Sequence, residues 1–447
     1  MRKPLFELNE PLEKADVTGY EVEIRNLQGN ILRSHGRGAA VHVFLTFHQG
    51  KEDQVKKFLR QFAGKLTSAA KQQEQAERYR TTHEPGEWFA SVCLSASGYE
   101  YLGFNTDAFS SDEFKEGMRM RGADLGDPPP GEWELKFQRQ IDAMLILADD
   151  QVEVLTEQLS QRRDELESFA DISIEFGLTM RNAEKNPIEH FGYADGVSQP
   201  IFFESDVKKK NRTNWDPRAG PNLVLVKDPY GGVPAACGTY FVFRKLEQNV
   251  RAFKDREREL AKALSLHGSD DERAGAMVVG RFENGTPLEL HHAAARPNPR
   301  KKFVPDNDFN YKKDHEGNRC PLSAHIRLTN PRTDDDKRHR IARRGITYGD
   351  PTPPDNDPEM LPEKGVGLLF QCCQADLRDQ FEYLQRRAND AADPIIGQPT
   401  GHSFPDLEFP KVYNKPDRGR FGFHGFVTMK GGEYFFVPSK SFFKNLK

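Results

Sequence analysis

The sequence predicts an α+β chain built from two ferredoxin-like βαββαβ units. Three observations carry this. The 447 residues are too many for one small core and suit two domains or one duplicated architecture. Apolar, β-branched stretches alternate with amphipathic ones in the order strand, helix, strand, strand, helix, strand. The same alternation returns in the second half.

In the first unit, residues 41–47 (VHVFLTF) have strand composition, and Val55, Phe58, Leu59 and Phe62 then recur at helical spacing. Strands follow at 88–94 (WFASVCL), 143–149 (AMLILAD) and 171–177 (DISIEFG), with a short helix at SGYEYLG and a longer one from Val152 to about Phe169. In the second unit, 238–246, 366–374 and 433–439 read as strands, and 250–264 and 376–388 as helices. The chain divides into a charged N-terminal arm (1–25), a first unit (26–205) and a second unit (206–447) with an insertion at about 265–365. Within the insertion, residues 291–320 are too polar and proline-rich for long elements. Irregular segments of this length inside a domain commonly serve function.

Lys plus Arg is 64 and Asp plus Glu 68, a net charge of −4. That balance offers no electrostatic ground for nucleic acid or an anionic membrane. Five cysteines, Cys93, Cys237, Cys320, Cys372 and Cys373, lack zinc or redox-motif spacing and indicate a reducing compartment. The start, MRKPLFELNEPLEKADV, has no apolar signal core, and no 18-residue apolar run occurs anywhere. The expectation is a soluble, cytoplasmic protein.

Four stretches can carry chemistry. HFGYADGVSQP (190–200) sets Asp195 between Gly192 and Gly196. Alone it reads as an Asx turn, but glycine also lets backbone approach a flat ligand closely. His325 stands alone beside apolar residues; zinc needs more ligands than this, whereas haem iron is held by a single histidine in some proteins. The neighbouring His291 and His292 point to opposite faces if extended, which argues against a shared metal. RRGITYG (343–349) offers Arg343 and Arg344, with room for one guanidinium to aim inward. Leu368, Leu369 and Phe370 suit a core or a cofactor wall equally.

In order and spacing these stretches resemble the dye-decolorising peroxidases, in the longer bacterial and fungal-like branch. The resemblance rests on GYADGVSQP (192–200), CPLSAHIR (320–327), RRGITYG (343–349) and GLLFQ (367–371), and spans roughly residues 25 to 440. It implies one haem b per chain and a fold of the dimeric α+β barrel type, with the haem pocket mainly in the C-terminal domain. His325 maps onto the proximal iron ligand and Asp195 onto the distal acid. Arg343 maps onto the distal arginine, eighteen residues after His325, with Arg344 as the alternative. Leu368 and Phe370 would form the distal wall, Arg281 and Arg327 would reach the haem propionates, and Asp376 or Glu382 would bond the second nitrogen of His325.

The implied activity is reduction of hydrogen peroxide through an oxoferryl porphyrin-radical intermediate, followed by single-electron oxidation of dyes, phenols or other small aromatic donors. The residue types suit it. A carboxylate within hydrogen-bond reach moves the peroxide proton, and a permanent guanidinium charge stabilises the breaking bond. An axial histidine bonded to a carboxylate pushes electron density onto iron. An ordinary aspartate titrates near about 3.9, so dye oxidation is expected to be fastest in acid. Bulky dyes would need an electron relay through Trp88, Trp133, Trp215 or tyrosines. The rival reading, a haem-handling protein of the same fold, would keep His325 without needing Asp195 and Arg343 together. Nucleic acid and membrane are not expected partners, and the oligomeric state stays open, a homo-oligomer included.

Overall fold

A computed structural model describes residues 2–207, 214–296, 298, 303–352, 358–397 and 405–447. The segment expected to be an arm is folded onto the body. Helices α1 (Lys14–Gly19) and α2 (Glu21–Asn26) follow a short turn, Leu5 and Leu12 are buried, and Leu12 bridges Phe203. Apolar residues too sparse to show a period still supply enough contact to hold such a segment down.

Strands β1 (Ala39–Phe47), β2 (Phe89–Leu94), β3 (Ala143–Asp149) and β4 (Ala170–Leu178) form an antiparallel sheet in the order β2-β3-β1-β4. Helix α3 (Glu52–Phe62) buries Val55, Phe58, Leu59 and Phe62, the spacing the sequence shows. Next comes α4 (Ala69–Thr82), which has almost no apolar stripe to announce it and is capped by Ser68. Helices α5 (Ala96–Tyr101), α6 (Asp112–Glu116) and α7 (Met118–Arg121) occupy the β2–β3 connection, and α8 (Val152–Glu167) joins β3 to β4. A hairpin, β5 (Met180–Arg181) with β6 (Pro187–Ile188), leads out of β4.

The second half repeats this plan. After β7 (Val226–Lys227) come β8 (Cys237–Gln248), β9 (Ala342–Arg343), β10 (Ile346–Tyr348), β11 (Gly367–Gln374), the small pair β12 (Leu407–Pro410) and β13 (Arg418–Phe421), and β14 (Val427–Val437). The main strands order as β10-β11-β8-β14, again second, third, first, fourth. Both halves therefore have ferredoxin-like strand order. The second strand, β10, is only three residues long and lies between arginines and glycines, so composition does not reveal it.

Leu94 of β2 pairs with Phe436 of β14, joining the halves into a sheet of ten strands. The sheet curls until β10 meets β4, where Thr347 Oγ1 donates to Leu178 O and Ile346 lies against Gly177. Inside this barrel, Phe44 packs edge-on against Phe243 and Phe137, and His42 reaches Gln371 across the lumen at 2.7 Å. Side chains alternate along a strand. With Leu369 and Gln371 turned in, Leu368 and Phe370 face out.

On that outer face sit α9 (Val250–Ala263), α10 (Glu272–Val279), α11 (His325–Thr329) and α12 (Tyr383–Asp390), with α13 (Lys440–Lys444) closing the chain elsewhere. The helix expected over 376–388 begins as a π-helical turn, Leu377–Glu382, before α12. The insertion is less irregular than its composition suggests, since it contains α10, α11, β9 and β10. Residues 291–320 include 297 and 299–302, which lie outside the described residues. The described remainder carries no helix or strand, but its Phe309, Tyr311 and Cys320 form a small core with Ala324.

Candidate active site

A cavity opens between the outer face of β8, β11 and β14 and the helices above it. Leu246, Leu368, Phe370, Val427 and Met429 form its sheet side, and Ile326, Leu384 and Ile395 stand on the helical side. Asp195, Arg343 and His325 all line it.

Asp195 ends a tightly organised loop. Gly192 and Gly196 take φ of +96° and +75°, values side-chain-bearing residues rarely adopt. Ala194 donates to Glu283 O at 2.9 Å and bridges Ile188, while Asp195 N donates to Pro187 O at 3.0 Å. The carboxylate remains about a third exposed. Its Oδ1 accepts from Gly196 N at 2.6 Å and from Arg343 Nη1 at 3.1 Å. Both contacts fall on one oxygen, which leaves Oδ2 for another partner.

The two adjacent arginines separate cleanly. Arg343 pairs in the ladder with Cys372, donates its backbone N–H to Gln199 Oε1 at 3.1 Å and turns its guanidinium to Asp195. Arg344 points the opposite way, buried, and donates to Asn30 O (2.8 Å), Ile31 O (2.5 Å) and Arg343 O (2.7 Å). Arg343 ends β9 and Arg344 follows it, tied to Asn30 and Ile31, so Arg343 is the one of the two that lines the cavity.

His325 opens α11. Its Nδ1 lies 2.9 and 3.1 Å from the carboxylate oxygens of Asp393, a residue 1% exposed. Asp393 is fixed in turn by the N–H groups of Ile395 (2.8 Å) and Ile396 (3.0 Å). This corrects the expectation that Asp376 or Glu382 bonds the histidine. Asp376 caps the π turn by accepting from Asp379 N at 2.8 Å. Glu382 is engaged by Arg121 (3.1 and 2.9 Å), Arg386 (2.9 Å) and the Tyr434 hydroxyl (3.0 Å). The available signal for Asp393 was an acid set in an apolar run, AADPII, just past a helix.

Arg281 and Arg327 do not behave alike. Arg281 lines the cavity and donates to Gly285 O, Asp306 O and Asn307 Oδ1 at 2.8–2.9 Å. Burial, with Arg332 nearby, pushes its guanidinium down to about 9. Arg327, expected to point the same way, is drawn off into the small core, bonding Asp314 Oδ2 at 2.9 Å and Cys320 O at 2.6 Å above the Tyr311 ring. Arg332, which the sequence reading passed over, lines the cavity with its guanidinium 3.7 Å from the Phe309 ring centroid. Among the three tryptophans, only Trp215 stands on the cavity wall; Trp133 is buried elsewhere and Trp88 packs near Arg162.

A curled sheet of two ferredoxin-like halves, with one cavity holding a histidine–aspartate pair and an aspartate–arginine pair, defines an α+β barrel enzyme site. Family comparison specifies it further. Residues 26–181 match the DyP dimeric alpha+beta barrel domain, and residues 211–397 match the C-terminal domain of Dyp-type peroxidases. The chain belongs to the DyP-type peroxidases and is an enzyme of that type. It is 40% identical to the multifunctional dye peroxidase DyP2 of an Amycolatopsis species, over 94% of this chain and 95% of that one. It is 28% identical to the dye-decolorizing peroxidase AauDyP1 of Auricularia auricula-judae, over 78% of this chain and 73% of that one. The crystal structure of a DyP-type peroxidase from an Anabaena species superposes with a TM-score of 0.90 at 38% identity, covering all of both chains.

Proposed function

We propose that this peroxidase uses one haem b per chain, takes hydrogen peroxide as oxidant and oxidises dyes, phenols or other aromatic donors in single-electron steps. The observation that carries the reading is the donor set of the cavity. His325 is held at Nδ1 by Asp393, so the lone pair offered to a metal is that of Nε2. Apolar side chains of β8, β11 and β14 suit a porphyrin face, and the buried cation Arg281, bonded to neutral oxygens, suits an acidic edge. The residues present fit haem.

When bound, haem supplies the electron transfers that reduce peroxide and oxidise donors. The chain's own groups do the rest. Asp393 keeps the His325 ring oriented and its Nδ1 proton partly withdrawn, which makes Nε2 a stronger donor. Asp195 Oδ2 takes the proton from one peroxide oxygen and returns it to the other, which leaves as water. Arg343 holds Asp195 Oδ1 and stabilises negative charge as the oxygen bond breaks. Leu368 and Phe370 limit entry to small molecules and keep bulk water away.

Absorbance spectra of haem-loaded protein before and after an equivalent of hydrogen peroxide test this, with Asp195→Asn, His325→Ala and Arg343→Leu alongside. The wild type should show a Soret band that peroxide shifts to a new maximum. His325→Ala should lose or alter that band, and each cavity variant should slow the shift by about 100-fold or more. A band that peroxide merely bleaches would turn the reading toward haem handling, and a chain that takes up no haem would overturn it.

A further inference from the structure

We propose that Glu189 is a positioning residue that sets Asp195 for proton transfer; this deepens the reading of Asp195 given above and rests on it. Glu189 lines the cavity six positions before Asp195, and its carboxylate is the organising centre of the intervening turn. Oε2 accepts from Phe191 N at 2.8 Å and Oε1 from Tyr193 N at 3.0 Å, so one carboxylate secures both amides flanking Gly192. The backbone of Glu189 closes the same turn: its oxygen accepts from Gly192 N at 2.9 Å, and its N–H donates to Tyr193 O at 3.1 Å.

A third side-chain contact ties the turn to the sheet. Gln248, the last residue of β8 and 4% exposed, donates its Nε2 to Glu189 Oε2, and its own Oε1 has no partner among the described residues. Phe191 is meanwhile stacked on Phe253 of α9, ring centroids 3.9 Å apart. The turn is thus anchored to β8 through Glu189 and to α9 through Phe191, and Asp195 leaves it two residues after the last Glu189 contact. Proton transfer depends on placement at the ångström scale. An acid that accepts three N–H donors at the root of the turn controls that placement without touching peroxide.

An amide cannot substitute for the ionised carboxylate; burial raises the Glu189 carboxyl to about 7, so the comparison is made above that pH. In Glu189→Gln one terminal atom becomes an NH₂ group facing an N–H donor, so at least one of the two backbone contacts is lost. The experiment uses full-length haem-loaded protein in four forms: wild type, Glu189→Gln, Asp195→Asn and the double variant. Stopped-flow absorbance gives the peroxide reaction rate, and hydrogen exchange reads the amides of residues 190–196. Glu189→Gln should slow the reaction by about 10-fold in the wild-type background and by less than about 2-fold beside Asp195→Asn. Exchange at Phe191 and Tyr193 should quicken by about 10-fold or more. Gln248→Met, which withdraws only the side-chain donor, should move exchange in the same direction and serves if Glu189→Gln does not fold. Equal slowing in both backgrounds would show that Glu189 does not act through Asp195, leaving the role of Asp195 intact. Unchanged exchange in the variants would also overturn the proposal. An Asp195→Asn variant as fast as wild type would remove the reading of Asp195 and this proposal with it.

Discussion

Asp195 and Arg343 are 148 positions apart and meet at 3.1 Å, while His325 and Asp393 are 68 apart and meet at 2.9 Å. Each pair joins a motif residue to a partner supplied by a different element. For the second pair the expected consequence is specific: Asp393→Asn keeps the size of the side chain but removes the charge that polarises His325. Haem affinity or turnover should fall by about 10–100-fold, and the potential of the iron couple should rise, as titration and spectroelectrochemistry would show. A second residue-scale prediction concerns Glu433, where burial pushes the carboxyl up to about 7 against two N–H donors, Met118 at 3.0 Å and Tyr434 at 2.7 Å. A folded pKa above the unfolded value means the native state holds the proton more tightly. The contribution is therefore complete below about 4.5 and is lost as pH rises through about 7. Urea unfolding at pH 5 and pH 8 should show wild type losing on the order of 3 kcal/mol more than Glu433→Gln across that interval.

At the scale of the element, the loop from β6 to Gly196 bears the proposed role of Asp195. A Cβ at Gly192 would meet nothing nearer than Glu283 at 3.5 Å, so space is not what requires glycine there. The φ of +96° is. Gly192→Ala should cost about 1–2 kcal/mol in denaturant unfolding and slow the peroxide reaction, since relieving the strain displaces Asp195. Where elements carried a clear period or composition, as in β1, α3, β3 and α9, the sequence located them to within a few residues. It passed over α4, which lacks an apolar face, and β10, whose Ile-Thr-Tyr composition suits a strand but which is only three residues long between Gly345 and Gly349. It also read as one helix the π turn and α12, because a π turn arises from local packing and leaves no separate mark in the pattern.

At the scale of the molecule, closure of the sheet joins the two halves. The β4–β10 seam depends on Gly177, where a Cβ would lie 2.4 Å from Ile346 Cγ2. Gly177→Val should destabilise the protein by about 1–3 kcal/mol, read as a lowered urea midpoint. A shared core reinforces the joint, since one buried cluster extends from Leu5 to Leu446 and includes residues of both halves. Among the described residues no helix is long and apolar enough to cross a membrane.

By itself the sequence determined which residue types were on hand and in what order: two rounds of strand and helix, an aspartate between glycines, a lone histidine and a pair of arginines. These are local properties, written in periods of two and 3.6 and in the backbone freedom of glycine. Only the tertiary structure decided which arginine faces the cavity, that Arg327 belongs to a buried core, that Asp393 rather than Asp376 or Glu382 meets His325, and that Glu189 underlies the loop of Asp195. Each of those choices depends on what is buried beside what, and contacts between distant segments leave no period along the chain.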